Sequence, residues 1–123
     1  MSYSNEQKIF TKGLEAFNNK KFYDAHEYWE ELWLDYKLKD ARFIQGLIQL
    51  SVSYFHLFNN NQKGACSMIK KCLEKFEGFE FARGIDVLDL VKQIKKTQIH
   101  INKISQISFF KSSYIININV IDE

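Results

Sequence analysis

The sequence of 123 residues has no proline, five glycines, two cysteines and only two arginines beside fifteen lysines. It also lacks the loop motifs by which several catalytic folds are recognised. No G-x-G-x-x-G or G-x-x-x-x-G-K-[ST] segment occurs, and no serine stands in a G-x-S-x-G turn. The chain therefore has no recognisable loop to cradle a phosphate and little basis for nucleophilic catalysis.

The two cysteines do not form a recognisable pair. Cys66 and Cys72 are six residues apart in a helical pattern, which turns them to different faces. Neither a C-x-x-C metal pair nor a local disulfide fits this spacing. We interpret both as small core residues of an intracellular protein in a reducing compartment, and the polar opening MSYSNEQK predicts no secretory signal.

Charge and hydropathy argue against two classes of partner. Seventeen basic and fifteen acidic residues leave a net charge of +2, and the lysine pairs are scattered, so we expect no nucleic-acid partner. Residues 43–62 carry no formal charge, but polar side chains interrupt this segment, among them Gln45, Gln49, Ser51, Ser53 and His56. Such groups are costly in a bilayer, and we expect no membrane span.

Apolar residues make up 46% of the chain and predict a folded core. Helical periodicity and capping residues (Ser4, Asp40, Asp86) then predict five helices in a single domain over residues 1–123. Their expected bounds are about Asn5 to Asn18, Phe22 to Lys37, Ala41 to Phe58, Gln62 to Phe76, and a fifth helix from the cap Asp86 to roughly Lys103. Residues 77–84 are predicted to be a loop.

The C-terminal segment has a different period. Ile116, Ile118 and Val120 alternate with Asn117 and Asn119, as in a strand or an extended arm. No partner strand is visible, so we expect an arm over residues 106–123 that lies on the helices. The predicted fold class is all-α: a single-domain array of about five mostly antiparallel helices with a short extended C-terminal arm.

The segment AHEYWEELW in the second predicted helix holds both tryptophans and a polar pair. At 100° per residue, Trp29 and Trp33 fall in the apolar arc and are expected in the core. His26 and Glu30 come beside this arc, one turn apart. Glu27 and Glu31 are expected to face solvent.

The third predicted helix is apolar except for one polar band, which we call the α3 band. None of its members is Lys, Asp or Glu, and such residues suit an internal polar seam in which each group has a partner. The α3 band consists of Arg42, Gln45, Gln49, Ser53 and His56.

Together these patterns predict a polar pocket in which His26 and Glu30 face Gln49 and His56 across the second and third helices. The leading hypothesis is a site for a divalent metal ion or small ligand. Its metal ligands would be His26, Glu30 and His56, and its ligand-orienting residues Arg42, Gln45 and Gln49. Two alternatives stay open: the polar groups satisfy one another and are purely structural, or the band is exposed and forms no pocket.

Catalytic metal templates match poorly. The segment HEYWE has a glutamate where the H-E-x-x-H pattern requires its second histidine, and no Glu-x-x-His pair of the four-helix di-metal type occurs. Whether the protein is an enzyme is left open. The competing hypothesis is a non-catalytic protein-interaction module, since the first two helices also resemble a tetratricopeptide-like pair.

Over residues 10–77 the chain resembles the family called domain of unknown function 309, found in bacteria and plastids. The resemblance rests on A-H-E-x-x-E-x-x-W, a Q-G-L-I-Q segment, a histidine and a Gly-Ala pair. It implies about five helices and shared positions at His26, Glu30, Gln49 and His56, but no substrate. With the bias toward residues of AT-rich codons, it also favours a plastid location. The remaining matched positions are Gly13, Phe17, Asn18, Phe22, Ala25, Glu27, Trp33, Gln45, Gly46, Gly64 and Ala65.

Overall fold

The computed structural model describes residues 4–103 and 115–121. Its helices and strands, in chain order, are α1 Asn5–Asn18, α2 Phe22–Asp35, α3 Ala41–Phe58, α4 Gln62–Phe76, β1 Phe81–Ala82, β2 Ile85–Asp86 and α5 Val87–Lys103. Each helix packs on the next one along the chain. The all-α prediction is confirmed, and none of the described helices is long and apolar enough to cross a membrane.

Helix bounds agree with the sequence where a capping residue marks them. The Ser4 hydroxyl accepts a hydrogen bond from the backbone N–H of Gln7 at 3.2 Å, and the Asp86 carboxylate accepts one from Asp89 at 3.0 Å. Such bonds satisfy N–H groups that have no partner within the helix. The second helix ends at Asp35, two residues before the predicted end.

Two features of the connections differ from the predictions. Asp40 makes no side-chain capping bond to α3, because its carboxylate binds the guanidinium of Arg83 at 2.7 Å. The predicted loop after α4 contains β1. This strand pairs antiparallel with β2, so that Phe81 lies opposite Asp86. This hairpin places Arg83 and Gly84 in its turn.

The core is rich in aromatic rings. Trp29 is fully buried and donates its indole N–H to the carbonyl of Phe10 at 3.2 Å. Its ring lies 6.0 Å from that of Phe17, which in turn contacts Tyr54. A β-carbon at Gly13 would overlap the indole, so α1 and α2 approach closely at this glycine.

The prediction that both tryptophans are buried is wrong for Trp33, which is 40% exposed. The buried stripe of α2 is narrower than the apolar arc of the sequence. It consists of Phe22, Ala25, Trp29 and Leu32, spaced alternately three and four residues apart. Trp33 lies one position beyond this stripe, at its edge.

The described part of the C-terminal segment, residues 115–121, has no regular secondary structure. Its side chains alternate in burial: Ile116 and Ile118 are buried, whereas Asn117 and Asn119 are exposed. We call residues 115–121 the arm. The rest of the predicted arm, 106–114 and 122–123, lies outside the described residues.

Candidate functional site

The α3 band faces α4 at the three positions where its side chains make polar contacts. At its N-terminal end, Arg42 donates two hydrogen bonds to the carbonyls of Glu74 (3.0 Å) and Glu77 (2.7 Å). Both carbonyls belong to the C-terminal end of α4, where backbone oxygens have no partner within the helix. Arg42 therefore caps α4, and its guanidinium also lies over the ring of Phe79.

In the middle of the band, Ser53 joins the two helices directly. Its hydroxyl is fully buried and donates to the carbonyl of Ala65 in α4 at 2.8 Å. Two turns earlier, Gly46 lies against the ring of Phe76, so that a β-carbon there would come within 2.6 Å of the ring. We call this contact region between α3 and α4 the α3–α4 seam.

At the C-terminal end of the band, His56 lies beside the first turn of α4. Its Nδ1 is 3.4 Å from the amide nitrogen of Asn61, and the side-chain oxygen of Asn61 caps α4 by accepting from Gly64 at 2.9 Å. Since an amide NH₂ only donates, Nδ1 of His56 is the acceptor in this contact. His56 thus supports the residue that begins α4.

The other two members of the band are half-buried glutamines. The side-chain oxygen of Gln49 is buried and has no hydrogen-bond partner among residues 4–103 and 115–121. Arg42 and His56 lie at opposite ends of the helix, about 21 Å apart along its axis at 1.5 Å per residue. The predicted ligand-orienting set Arg42, Gln45 and Gln49 therefore extends along the helix, and Arg42 is too far from His56 to share a small ligand with it.

On α2, His26 and Glu30 do form the predicted pair. The Nε2 of His26 is 2.8 Å from a carboxylate oxygen of Glu30, and its Nδ1 is 3.2 Å from the carbonyl oxygen of Tyr23. Carbonyl and carboxylate oxygens only accept, so the ring of His26 is the donor in these contacts. The side chains are 23% and 47% exposed, which places the pair at the edge of the surface.

The predicted metal ligands do not converge. Within the described ranges, no group of three or more His, Cys, Asp or Glu side chains is arranged to hold a metal ion. His26 and Glu30 contact each other, whereas the polar contact of His56 is with Asn61. The physical reason is the rotation of α3, which turns Arg42, Ser53 and His56 toward α4.

A surface of aromatic rings lies where α2 begins and α3 ends. The ring of Tyr23 lies 5.4 Å from both His26 and Phe55, and Phe58 stacks on Phe22 at 6.1 Å with nearly parallel planes. Tyr23 is 53% exposed and Phe58 47%. We call the surface of Tyr23, Phe55 and Phe58 the aromatic end. It lines a shallow groove together with Lys20, Lys21, Phe22, Asp24 and Asn59.

Sequence reasoning missed Arg83, which joins three distant parts of the chain. Its guanidinium binds Asp40 at 2.7 and 3.1 Å and Glu6 at 2.8 Å, and lies over the ring of Phe10. Burial alone would lower the pKa of Arg83, but the bonds to the two carboxylates raise it above the ordinary value. The sequence held one signal, since arginine occurs only twice beside fifteen lysines and the guanidinium is suited to several directed hydrogen bonds. Both arginines make such bonds in the structure.

Comparison with known proteins supports the family resemblance and adds no activity. No curated protein matches the chain. The model of one family, described as domain of unknown function (DUF309), matches residues 10–68, a range that includes α2, α3 and the first turns of α4. The predicted resemblance is thereby confirmed: this segment is similar to domain of unknown function 309.

Proposed function

We propose that the protein is a non-catalytic interaction module that binds another protein through the aromatic end. The observation that carries this proposal is the exposure of Tyr23 and Phe58, which contact the rings of Phe55 and Phe22 and line one groove with them. Aromatic side chains supply much of the energy at protein interfaces because they bury a large area at a small loss of conformational entropy. Single exposed apolar residues are ordinary, but a connected aromatic groove is more typical of a binding surface.

The contacts of the α3 band support a non-catalytic interpretation. Arg42, Ser53 and His56 are the polar residues that would otherwise supply a pocket, and each contacts the backbone or a capping residue of α4. These groups hold α4 in place. The polar set that predicted a ligand pocket therefore has a structural use at three of its five positions.

The groove also indicates the chemistry of the partner. It is lined by the buried Phe22 and the half-buried Phe55, and by the exposed Lys20, Lys21 and Asp24. An apolar side chain of the partner would pack on the phenylalanines, and acidic side chains beside it would meet the lysines. We infer that the partner presents an amphipathic segment with an apolar anchor flanked by Asp or Glu.

The experiment compares three full-length proteins expressed in the cells from which the chain derives. Tyr23→Ser with Phe58→Ser removes the aromatic end, and Leu88→Ser is the control because Leu88 is equally exposed on α5. We expect one protein to copurify with the wild type and the control and to be lost from the double variant. The purified partner should then bind the wild type at least about tenfold more tightly than the double variant. Equal binding by all three proteins would contradict the proposal.

Metal binding remains a competing proposal, supported by the 2.8 Å contact of His26 and Glu30 at the protein surface. These two side chains supply a nitrogen and an oxygen ligand on one helix face, and further ligands would have to come from water or from a partner. Metal analysis of protein purified without a histidine tag tests it. About one bound metal ion per chain, lost in His26→Ala, would favour this proposal over the interaction module.

A further inference from the structure

The arm is held through its backbone by a side chain of α1. Asn18, the last residue of α1, donates its amide N–H to the carbonyl of Ile118 at 2.9 Å and accepts the N–H of the same residue at 2.8 Å. This pair of bonds reproduces what a neighbouring β-strand would offer. Farther along, the N–H of Ile121 donates to the carbonyl of Gly84 at 2.7 Å. Recognition of this kind depends on an extended backbone and not on the identity of the residue.

The side chains of the arm add the selectivity. Ile116 and Ile118 are buried, and the exposed Asn117 between them points away from the protein. The hydroxyl of Tyr54 and the side chain of Thr97 lie close to Ile116. At Gly84 a β-carbon would come within 2.6 Å of the side chain of Val120, so the arm fits beside the hairpin turn because this residue is glycine. We call the surface formed by Asn18, Tyr54, Gly84 and Thr97 the arm groove.

The arm groove thus has the features of a peptide-binding site: main-chain hydrogen bonds and pockets for alternate apolar side chains. We propose that it also accepts the arm of a second copy of this chain, giving a dimer in which two copies exchange residues 115–121. This inference is separate from the aromatic end and does not depend on the proposed function.

The second copy is the occupant that the structure favours, because its arm has the same Ile-Asn-Ile pattern that the groove already binds. Among residues 4–103 and 115–121, the arm is held by two buried isoleucines, by hydrogen bonds from its backbone to Asn18 and Gly84, and by the approach of Tyr54 to Ile116, while ordering seven residues opposes docking. Exchange of an identical segment is a low-cost route to a dimer, since the interactions that the arm makes within one copy form again in the groove of the other.

The length of the connection permits this exchange. Eleven residues, 104–114, separate α5 from the arm. A chain of that length spans at most about 40 Å. This span exceeds the radius of gyration expected for a domain of this size, which is about 14 Å. The arm of one copy can accordingly reach a groove on a copy packed beside it.

A complementation experiment with full-length variants tests the proposal. The double variant Ile116→Ser with Ile118→Ser removes the apolar side chains of the arm and leaves the arm groove empty. Asn18→Leu removes the hydrogen bonds that the groove makes to the arm and leaves the arm intact. Sedimentation equilibrium is measured on each variant alone, on an equal mixture and on the wild type. Circular dichroism checks that each is folded, and Asn18→Asp replaces Asn18→Leu if the latter is not. Asn119→Ser, which changes an exposed side chain, is the matched control.

We expect each variant alone to stay monomeric and the mixture to form a one-to-one complex. The mixture should dimerise at a concentration roughly tenfold or more below that of the wild type, because neither variant has an intramolecular arm interaction to give up. The control should behave as the wild type does. A mixture that stays monomeric, or an Asn18→Leu protein that dimerises by itself as readily as the wild type, would overturn the proposal.

Discussion

The α3 band and the His26–Glu30 pair both place polar side chains beside an apolar helix face, but these side chains meet different neighbours. Three members of the band contact α4, where Ser53 and Arg42 bond to backbone carbonyls. His26 and Glu30 bond to each other and to the carbonyl of Tyr23 within their own helix. The comparison teaches that a polar residue near an apolar face has a structural role when it completes the hydrogen bonds of a second helix. When its partners lie on its own helix, the residue can be replaced at little cost.

The largest expected effect concerns the thiols of α4, the helix that the α3 band contacts. Burial raises the pKa of Cys72 to about 12, and the pKa of the less buried Cys66 is also raised by burial. Since the thiolate is the reactive form, we expect Cys72 at pH 8 to react with a thiol reagent roughly a thousandfold more slowly in the folded than in the unfolded protein. Timed labelling and peptide mass analysis measure both rates.

The same shift has a consequence for stability. A thiol whose folded pKa lies above its unfolded value of 9.0 keeps its full contribution below pH 9, and loses it as the pH rises from 9 to about 12. Cys72→Ala should weaken that pH dependence in urea unfolding. Labelling of Cys72 as fast as Cys66 in the native protein would show that the α3–α4 seam is open to solvent.

The two tryptophans of α2 test the difference between its buried stripe and its outer face. Trp29→Ala removes a fully buried indole and should lower the free energy of unfolding by about 3–5 kcal/mol. Trp33→Ala removes a side chain that is 40% exposed, and we expect a loss of about 1 kcal/mol or less. Urea denaturation followed by circular dichroism gives both values, and equal losses would place Trp33 in the core after all.

Gly46 tests how tightly the seam is packed. In Gly46→Ala the new β-carbon would lie 2.6 Å from the buried ring of Phe76, so the ring or a helix must move. Overpacking of this kind costs about 1–3 kcal/mol, although alanine favours helix more than glycine does. Thermal or urea unfolding checks the result. A stabilised variant would mean that α3 and α4 are farther apart than the structure shows.

The smallest effect is expected for the pair on α2. Exposed ion pairs one helical turn apart contribute about 0.3–0.5 kcal/mol. His26→Ala and Glu30→Gln should therefore each change the free energy of unfolding by no more than about this amount. A double-mutant cycle measures the coupling directly. Coupling of several kcal/mol would assign the pair a structural role like that of the α3 band.

The sequence predicted the helices well because their boundaries depend on neighbours along the chain. Ser4 and Asp86 cap helices through residues three positions away, and a wheel drawn from the sequence correctly put Glu27 and Glu31 in solvent. Periodicity alone, however, cannot say which helix covers a given face. The α3 band was predicted to face α2, but Arg42, Ser53 and His56 make their polar contacts with α4.

Long-range partners were the second source of error. Asp40 had the character of a capping residue, yet Arg83, which is 43 positions further along the chain, binds its carboxylate. Likewise, Asn18 stood at a helix end, where its contact with Ile118, 100 positions away, left no local signal. Hydrogen bonds of this kind depend on the assembled fold and have no spacing that a sequence pattern can reveal.

The most direct measurement of the structural role of the α3 band uses two buried serines on the same helix. Ser53 donates to Ala65 of α4 at 2.8 Å, whereas Ser51 donates to Leu47 of its own helix at 3.0 Å. Both become alanine with the same change in size and helix propensity, so urea unfolding isolates the bond between helices. We expect Ser53→Ala to lower the free energy of unfolding by about 1 kcal/mol more than Ser51→Ala. Equal effects of the two substitutions would contradict the account.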